Sequence, residues 1–372
     1  MPKLLYLVTE DWFFVSHFLP MARAARGAGF EVVVATRVRD HAADIEAEGC
    51  RIVRLEGERR SLGIFEALRG FFRIASIVQA ERPDIVHCIA LRMVALGGLA
   101  ARAGGARRLV LAPTGLGLLW SEDSLFNRTA RAVLRVIIGR WLRGGETGYL
   151  FENSDDPREF GLENSSAVTI VRGAGVDPEH YPPSPEPNAP PLKLAVVARM
   201  IEAKGIADAV AAVRRARALG AAVELDLYGA PDPSSRRSCT EADLRRWSSE
   251  PGIRWHGPSA DVAEVWRTHH VAILLTWYRE GVPRSLIEAA ASGRPIVTTD
   301  SPGCRDLVRD RQEGILVPLH DVEAAARALV ELVDDADLRA RLGRAARARF
   351  LEQFTEAEVR RRVSSVYTGF AL

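Results

Sequence analysis

Short apolar runs punctuate the chain, each followed by a turn and then by a stretch in which apolar residues recur every three or four positions. Lys3 to Val8, Glu31 to Ala35, Asp84 to Ile89, Arg108 to Ala112 and Thr147 to Phe151 read as strands, and Leu19 to Arg26 and Ile64 to Gln79 as helices between them. Strands apolar on both faces and alternating with helices predict a parallel sheet covered on both sides. The alternation breaks at Asp177 to Leu192, where seven prolines in 16 residues leave no backbone for a helix or a central strand. It then resumes. Lys193 to Ala198, Val223 to Tyr228, Ile253 to His256, Val271 to Thr276, Pro295 to Thr298 and Ile315 to Val317 read as strands, with helices at Ile206 to Leu219, Arg284 to Ser292 and Val322 to Val333. The pattern predicts an α/β protein of two parallel-sheet domains, residues 1–178 and 193–354, joined by a proline-rich linker at 179–192. A last helix over about 355–372 is expected to pack back on the first domain. Sheets of this kind take ligands beyond the carboxyl ends of their strands, so a cleft shared by the two sheets is where function is expected.

Composition narrows the class. Apolar residues make up 47% and charged residues 26%, the balance of an ordinary globular protein, which excludes disordered and fibrous readings. The net charge of +2 excludes a general electrostatic drive toward nucleic acid. Cys50, Cys88, Cys239 and Cys304 fit no metal or redox spacing. No run of 18 apolar residues occurs, and the segment MPKLLYLVTEDWFF does not read as a secretory signal. A cytoplasmic protein is expected, with any attachment to the inner face of the membrane peripheral. GLGLLW has tryptophan where a dinucleotide fingerprint needs its last glycine, and VTEDWFF has no glycine, which argues against a nicotinamide dehydrogenase.

The densest chemistry lies in Thr276 to Val308. Glu280 and Glu288 have seven residues between them, Gly281 lets backbone approach a ligand, and Pro283 suits the first turn of a helix whose free N–H groups would face an anion. Glu288 on that helix is a candidate acceptor for the vicinal hydroxyls of a ribose. The stretch reads EG-x-P-x-x-x-x-EA-x-A-x-GRPIV-x-T, and in this it resembles the retaining glycosyltransferases of family four, which have the GT-B fold of two Rossmann-like domains facing a central cleft. AVVARMIEAKGI, Ala195 to Ile206, is similar to that family's Arg and Lys segment. The resemblance implies a nucleotide diphosphate sugar donor, uridine-linked, with Arg199 and Lys204 clamping its diphosphate, Glu280 holding sugar hydroxyls and Glu288 the ribose. Gly281, Val282 and Pro283 would shape an amide nest, and Arg284 and Gly229 complete the donor-binding set. The leaving diphosphate would help deprotonate the acceptor, so neither a protein nucleophile nor a cofactor is implied. Side-chain cations and the absence of an Asp-x-Asp pair at a strand end lead us to expect no metal requirement.

Within the family, EDWFFVSHFLPMA, PDIVHCIALRMVALGGLAAR, PTGLG, LFENSDD and GAGVD look most like bacterial surface-glycan transferases that build lipid-linked oligosaccharides. This implies a lipid-linked saccharide acceptor near Arg92, Gly115, Gly117, Asn153 and Gly175. Ile89 stands where many members carry a second histidine, and Arg92 where this subgroup often has lysine, so the sugar cannot be copied from the family. His17, expected at the start of the first helix, is either a core group or an acid–base group on the acceptor side. His87, ending an apolar strand, reads as structural. Residues 54 to 143 hold 15 basic and seven acidic residues, and Leu125 to Arg143 has five arginines and no acid. There Arg128, Arg131 and Arg135 form one stripe opposite Val133, Ile137 and Trp141, either a solvated face or a surface for anionic lipid. Two other functions share the donor motif: a nucleotide-sugar epimerase or hydrolase, and a non-catalytic nucleotide-sugar-binding protein.

Overall fold

The computed structural model describes residues 1–55, 64–144, 146–233, 235 and 237–370. Glu56, Glu58, Arg59 and Arg60, counted in the basic segment above, lie outside them. The chain forms two compact units, Met1–Gly175 with Glu356–Leu372, and Val176–Thr355. The proline-rich stretch 179–192 belongs to the second unit.

The first unit is a seven-stranded parallel sheet of β1 (Lys3–Glu10), β2 (Glu31–Arg37), β3 (Arg51–Arg54), β4 (Ile85–Ile89), β5 (Arg108–Ala112), β6 (Thr147–Phe151) and β7 (Val168–Ile170), in the order β3-β2-β1-β4-β5-β6-β7. The hydrophobic pattern misses β3 and β7. Both are short edge strands whose side chains are exposed or half-buried, so neither carries the apolar run of a central strand. Alternate residues of the central strands feed opposite faces: Leu5, Leu7, Val86 and Leu111 pack on one side, Tyr6, Val8, Ile85 and Val110 on the other. The helix Glu356–Gly369 closes the second face with Val359, Val363 and Tyr367. The Tyr367 hydroxyl lies 2.8 Å from both the Tyr6 hydroxyl and His87 Nδ1.

The first helix runs from Asp11 to Gly27, eight residues earlier than its expected start. The fully buried Asp11 carboxylate accepts from the backbone N–H groups of Trp12, Arg39 and His41 at 2.8, 2.6 and 3.1 Å, which lets β1 pass into helix without a loop. Pro20 is tolerated within that helix.

The second unit is a six-stranded parallel sheet of β8 (Leu192–Val197), β9 (Val223–Tyr228), β10 (Ile253–Gly257), β11 (Val271–Leu274), β12 (Ile296–Thr299) and β13 (Gly314–Val317), in the order β10-β9-β8-β11-β12-β13. The proline-rich stretch makes no ladder and is strapped onto this unit by side-chain donors instead. Arg294 Nη2 reaches Ser184 Oγ at 2.5 Å, Arg339 Nε reaches Glu186 Oε1 at 2.5 Å, and Arg347 Nη1 reaches the Tyr181 carbonyl at 3.0 Å. In each sheet the strand order reverses beside the first strand, between β1 and β4 and between β8 and β11. Loops leaving such a switch point diverge and open a crevice.

Candidate functional site

At the second switch point, the loop after β8 contains Arg199 and the turn Glu202–Lys204, and the loop after β11 leads through Thr276 and Glu280 to the helix Arg284–Ala291. The two loops are stitched at one atom. The Ala203 carbonyl accepts from Thr276 Oγ1 at 3.0 Å and from the N–H groups of Trp277 and Tyr278 at 3.1 and 3.2 Å. Gly205 follows in the left-handed region, φ +68°, and a Cβ there would lie 1.9 Å from the Leu275 carbonyl oxygen. Only glycine lets the turn lie this flat against the strand end.

This packing sets Lys204 Nζ 2.5 Å from Glu280 Oε2, and Thr276 Oγ1, whose one proton is shared between the Ala203 carbonyl and Glu280, lies 2.9 Å from Glu280 Oε1. The two side chains are 13% and 14% exposed, so the pair is largely withdrawn from water yet still reachable. An ammonium has three N–H donors, of which Glu280 takes one. On the other side, Gly303 (φ +81°) passes so close to the Gly281 carbonyl that a Cβ would sit 1.6 Å from its oxygen.

Glu288 is 6% exposed on the helix, where Arg284 Nε donates to its Oε1 at 2.8 Å and the Tyr181 hydroxyl also reaches it. Burial pushes its carboxyl above the ordinary range, and Arg284 and Tyr181 oppose that only in part. Gly281, Val282 and Pro283 are buried in front of the helix. Pro283 precedes the first turn instead of occupying it: with ψ 118° it is extended, and its carbonyl accepts from the N–H groups of Leu286 and Ile287.

Arg199 is brought to Asp232, its Nη1 2.5 Å from Oδ2, with its side chain 41% exposed. Gly229 (φ +148°) opens the loop after β9 against the Ala198 carbonyl, 1.8 Å from a notional Cβ. Sequence reasoning missed Asp232, Thr276 and Tyr181. Thr276 opens the stretch already singled out, but Asp232 lies in the loop after β9, where only Gly229 was named, and Tyr181 lies in the proline-rich stretch and gives no signal of its contact with Glu288.

In the first unit, His17 is half-buried and stands inside the first helix, not at its start, with Ser16 Oγ 2.6 Å from Nδ1 and the Phe13 ring 4.8 Å away. Arg92 closes the turn after β4, which begins at Ala90 in the left-handed region, φ +68°. Gly115 and Gly117 follow β5 with φ +109° and +64°. Asn153 is fully buried: its Oδ1 accepts from the N–H groups of Asp155 and Asp156, and its Nδ2 donates to Asp156 Oδ2 at 2.9 Å. Gly175 lies against the final helix, a Cβ there meeting Glu356 Cα at 3.0 Å. Ile89 is fully buried in the apolar layer with Tyr6 and Phe14, so its side chain is a core group. His87 is fully buried too, and burial drives its pKa down to about 3, leaving it neutral.

The basic helix, Leu125–Val136, does not bury the apolar face expected to pack. Arg131 is held by Asp123 at 2.8 Å and Arg135 by Glu159 at 2.6 Å, while Leu125, Phe126, Val133 and Val136, and Trp141 just beyond, stay exposed. Of the stripe, Arg128 alone is exposed with no such ion pair among the described residues. Pairing withdraws Arg131 to 16% exposure while Arg135 stays 47% exposed, and much of the face expected to pack is left outside. Among the described residues no group of His, Cys, Asp and Glu is placed to hold a metal ion, and no helix is long and apolar enough to cross a membrane.

Residues 3–138 match the family described as "Glycosyl transferase 4-like", and residues 191–335 match "Glycosyl transferases group 1". A Campylobacter jejuni relative, N,N'-diacetylbacillosaminyl-diphospho-undecaprenol alpha-1,3-N-acetylgalactosaminyltransferase, is 21% identical, with 95% of each chain covered. The putative colanic acid biosynthesis glycosyltransferase WcaL of Escherichia coli is 31% identical over 53% of this chain and 50% of its own. The crystal structure of Anabaena HepE in complex with UDP-glucose superposes with a TM-score of 0.79 at 14% identity, covering all of both chains. Two parallel sheets, each with its switch point, and family matches to each half in turn make this chain a member of the GT-B glycosyltransferases, 4-like in its first half and group 1 in its second.

Proposed function

We propose that the protein is a retaining transferase that moves a hexosyl or N-acetylhexosaminyl group from a uridine diphosphate sugar to a lipid-linked glycan acceptor in cell-envelope polysaccharide synthesis. One observation carries this reading: the Lys204–Glu280 pair stands on loops that leave the second switch point, and Glu288 on the helix that follows the second of them. Lys204 and Arg199 neutralise the donor diphosphate, most strongly as charge grows on the leaving group. Glu280, oriented by Thr276, accepts from sugar hydroxyls, and Glu288 accepts from the ribose. The side-chain cations make a metal ion unnecessary. Arg92, Gly115 and Gly117 stand on the acceptor side, with His17 as its acid–base or orienting group. The names of the Campylobacter and Escherichia relatives support the lipid-linked and exopolysaccharide parts, and the UDP-glucose held by HepE supports the donor. Exposed Leu125, Phe126, Val133 and Val136 favour peripheral contact with the inner face of the membrane, now through apolar side chains.

The test is a panel of UDP-hexoses and UDP-N-acetylhexosamines, with and without a polyprenyl-diphosphate-linked saccharide, in excess chelator. Acceptor-dependent release of UDP with an α-linked product is expected. Conversion of donor without acceptor would mark an epimerase or hydrolase, and donor binding without turnover on any acceptor a binding protein. Loss of transfer in chelator, restored by magnesium or manganese, would overturn the cationic clamp.

A further inference from the structure

The second unit holds a cavity of about 300 Å³ at the amino ends of β11 and β12, the opposite end of the sheet from the loops that carry Lys204 and Glu280. Three segments wall it: the proline-rich stretch with Ser184 and Glu186, the turn ahead of β12 with Ser292 and Arg294, and the helix Ala336–Gln353 with Arg344 and Arg347. Glu186 is the one acid in this lining, and Arg339 holds it, with Nε 2.5 Å from Oε1. Arg294, Arg344 and Arg347 make no ion pair among the described residues.

Arg294 gives the more specific sign. It is 3% exposed, and its Nε donates to the Trp266 carbonyl at 2.7 Å while its Nη2 reaches Ser184 Oγ and the Pro185 carbonyl at 2.5 and 3.1 Å. Its Nη1 has no hydrogen-bond partner among the described residues and is not sealed from solvent, so it opens into the cavity that the residue lines. Arg347 gives its Nη1 to the Tyr181 and Ala291 carbonyls, which leaves Nε and Nη2 without an acceptor among the described residues. Arg344 is exposed and makes no hydrogen bond among them, and the hydroxyl of Ser292, a residue 3% exposed, makes none either. Burial pushes the Arg294 and Arg347 guanidinium pKa values below their ordinary range, and Glu186 alone opposes this, at Arg294 only. Carbonyl oxygens satisfy individual N–H groups but carry no net charge, so cations withdrawn from water here lack a counter-ion.

We propose that this cavity binds a small sugar phosphate, with the phosphate held between Arg294, Arg344 and Arg347. The site is separate from the donor loops, and the inference does not rest on the proposed function. Guanidinium forks match phosphate oxygens, and a dianion supplies the missing counter-charge. At roughly three water volumes of ~30 Å³ each, a phosphate group fills about a third of the cavity. The remaining space is bounded by Pro183 and Pro295, whose C–H faces suit a sugar ring, and by the Ser184 and Ser292 hydroxyls, which suit its polar edge. Such a ligand ties the proline-rich stretch to the start of β12 and to the helix Ala336–Gln353.

The experiment measures binding of glucose 6-phosphate, inorganic phosphate and glucose by calorimetry to wild type, Arg344→Gln, Arg344→Lys, Arg344→Glu and Lys204→Ala, each first compared by thermal melt. Arg344 is exposed and unpaired among the described residues, so its variants should fold. Glucose 6-phosphate should bind more tightly than phosphate, and glucose weakest. Arg344→Gln should weaken glucose 6-phosphate by about tenfold, Arg344→Lys by less, and Arg344→Glu should abolish binding. Lys204→Ala should leave it within about twofold. Glucose 6-phosphate should also raise the melting temperature of wild type and not that of Arg344→Glu. A folded Arg344→Glu that binds glucose 6-phosphate as well as wild type overturns the proposal. Loss of binding in a folded Lys204→Ala does so too, because it moves the phosphate to the donor loops. Equal affinity for phosphate and glucose 6-phosphate overturns the assignment of a sugar to the rest of the cavity.

Discussion

Replacing Glu280 by glutamine should act in opposite directions on UDP and on a UDP-sugar. In the free protein Lys204 Nζ is 2.5 Å from the Glu280 carboxylate, in a pair whose side chains are 13% and 14% exposed. A diphosphate oxygen hydrogen-bonded to the same ammonium would lie roughly 5 Å from that carboxylate, and two unit charges at that distance repel by about 3 kcal/mol at an effective dielectric of ~20 and by under 1 kcal/mol in bulk water. An intermediate gain of about 1–2 kcal/mol, roughly five- to thirtyfold in affinity, is therefore expected for UDP when glutamine removes the charge. Glutamine keeps the shape and can still accept from Thr276, so the loop should hold. A UDP-sugar loses a charged acceptor for its hydroxyls, which offsets the gain, and turnover should drop by about tenfold or more. The isolated ammonium should also lower stability by about 1–3 kcal/mol, less than for a fully buried pair because some water still reaches it. Calorimetric titration with UDP and a UDP-sugar, steady-state turnover and urea unfolding read these effects. Weaker UDP binding in Glu280→Gln, with stability unchanged, would refute the idea that the carboxylate competes with the diphosphate for Lys204.

Glu288→Gln should melt higher than wild type at pH 7.5 and lose that margin toward pH 4. Burial raises the folded pKa above its ordinary 4.5, so the stabilising protonated form is present below the unfolded value and is lost as pH rises through the folded one. The same variant should weaken UDP and UDP-sugar by a similar factor, about 1.5–3 kcal/mol per charge-assisted bond removed, and unequal losses would detach Glu288 from the ribose. For His87 the sign is reversed. Burial takes its pKa from 6.5 to about 3, so stability is full above pH 6.5 and is lost as pH falls from there toward 3. This site contributes a slope of up to about 1.4 kcal/mol per unit, and His87→Phe should flatten the acid limb of the melting profile.

How much of this was legible in the sequence depends on range. The central strands β1, β2, β4, β5 and β6 and most of the second sheet stand out because burial demands apolar residues, whereas the edge strands Arg51–Arg54 and Val168–Ile170 lack that demand and leave no mark; the edge strand β10 was legible although only Ile253 in it is buried. The Glu280 to Glu288 motif is local too, a loop and one helix, and so could be found without the fold. The early start of the first helix could not, because it depends on Asp11 receiving the amides of Arg39 and His41 from another strand's end. Nor could the ion pairs that hold Arg131 and Arg135. Periodicity gives a helix two faces but does not say which one meets acids such as Glu159.

Local propensity and hydrophobic period, which act over a few residues, determined the two α/β halves, the break at the prolines and the chemistry of the donor loop. Tertiary structure alone decided which of those residues meet. Lys204 reaches Glu280 across 76 positions because β8 and β11 are neighbours at a switch point and Gly205 lets the intervening turn lie against Leu275. A cavity in the first unit likewise gathers Arg37, Arg69, Arg73 and Arg92 from different elements around β1 to β4. Strand order and close backbone approach, acting between distant segments, set such meetings, and no pattern along the chain encodes them by itself.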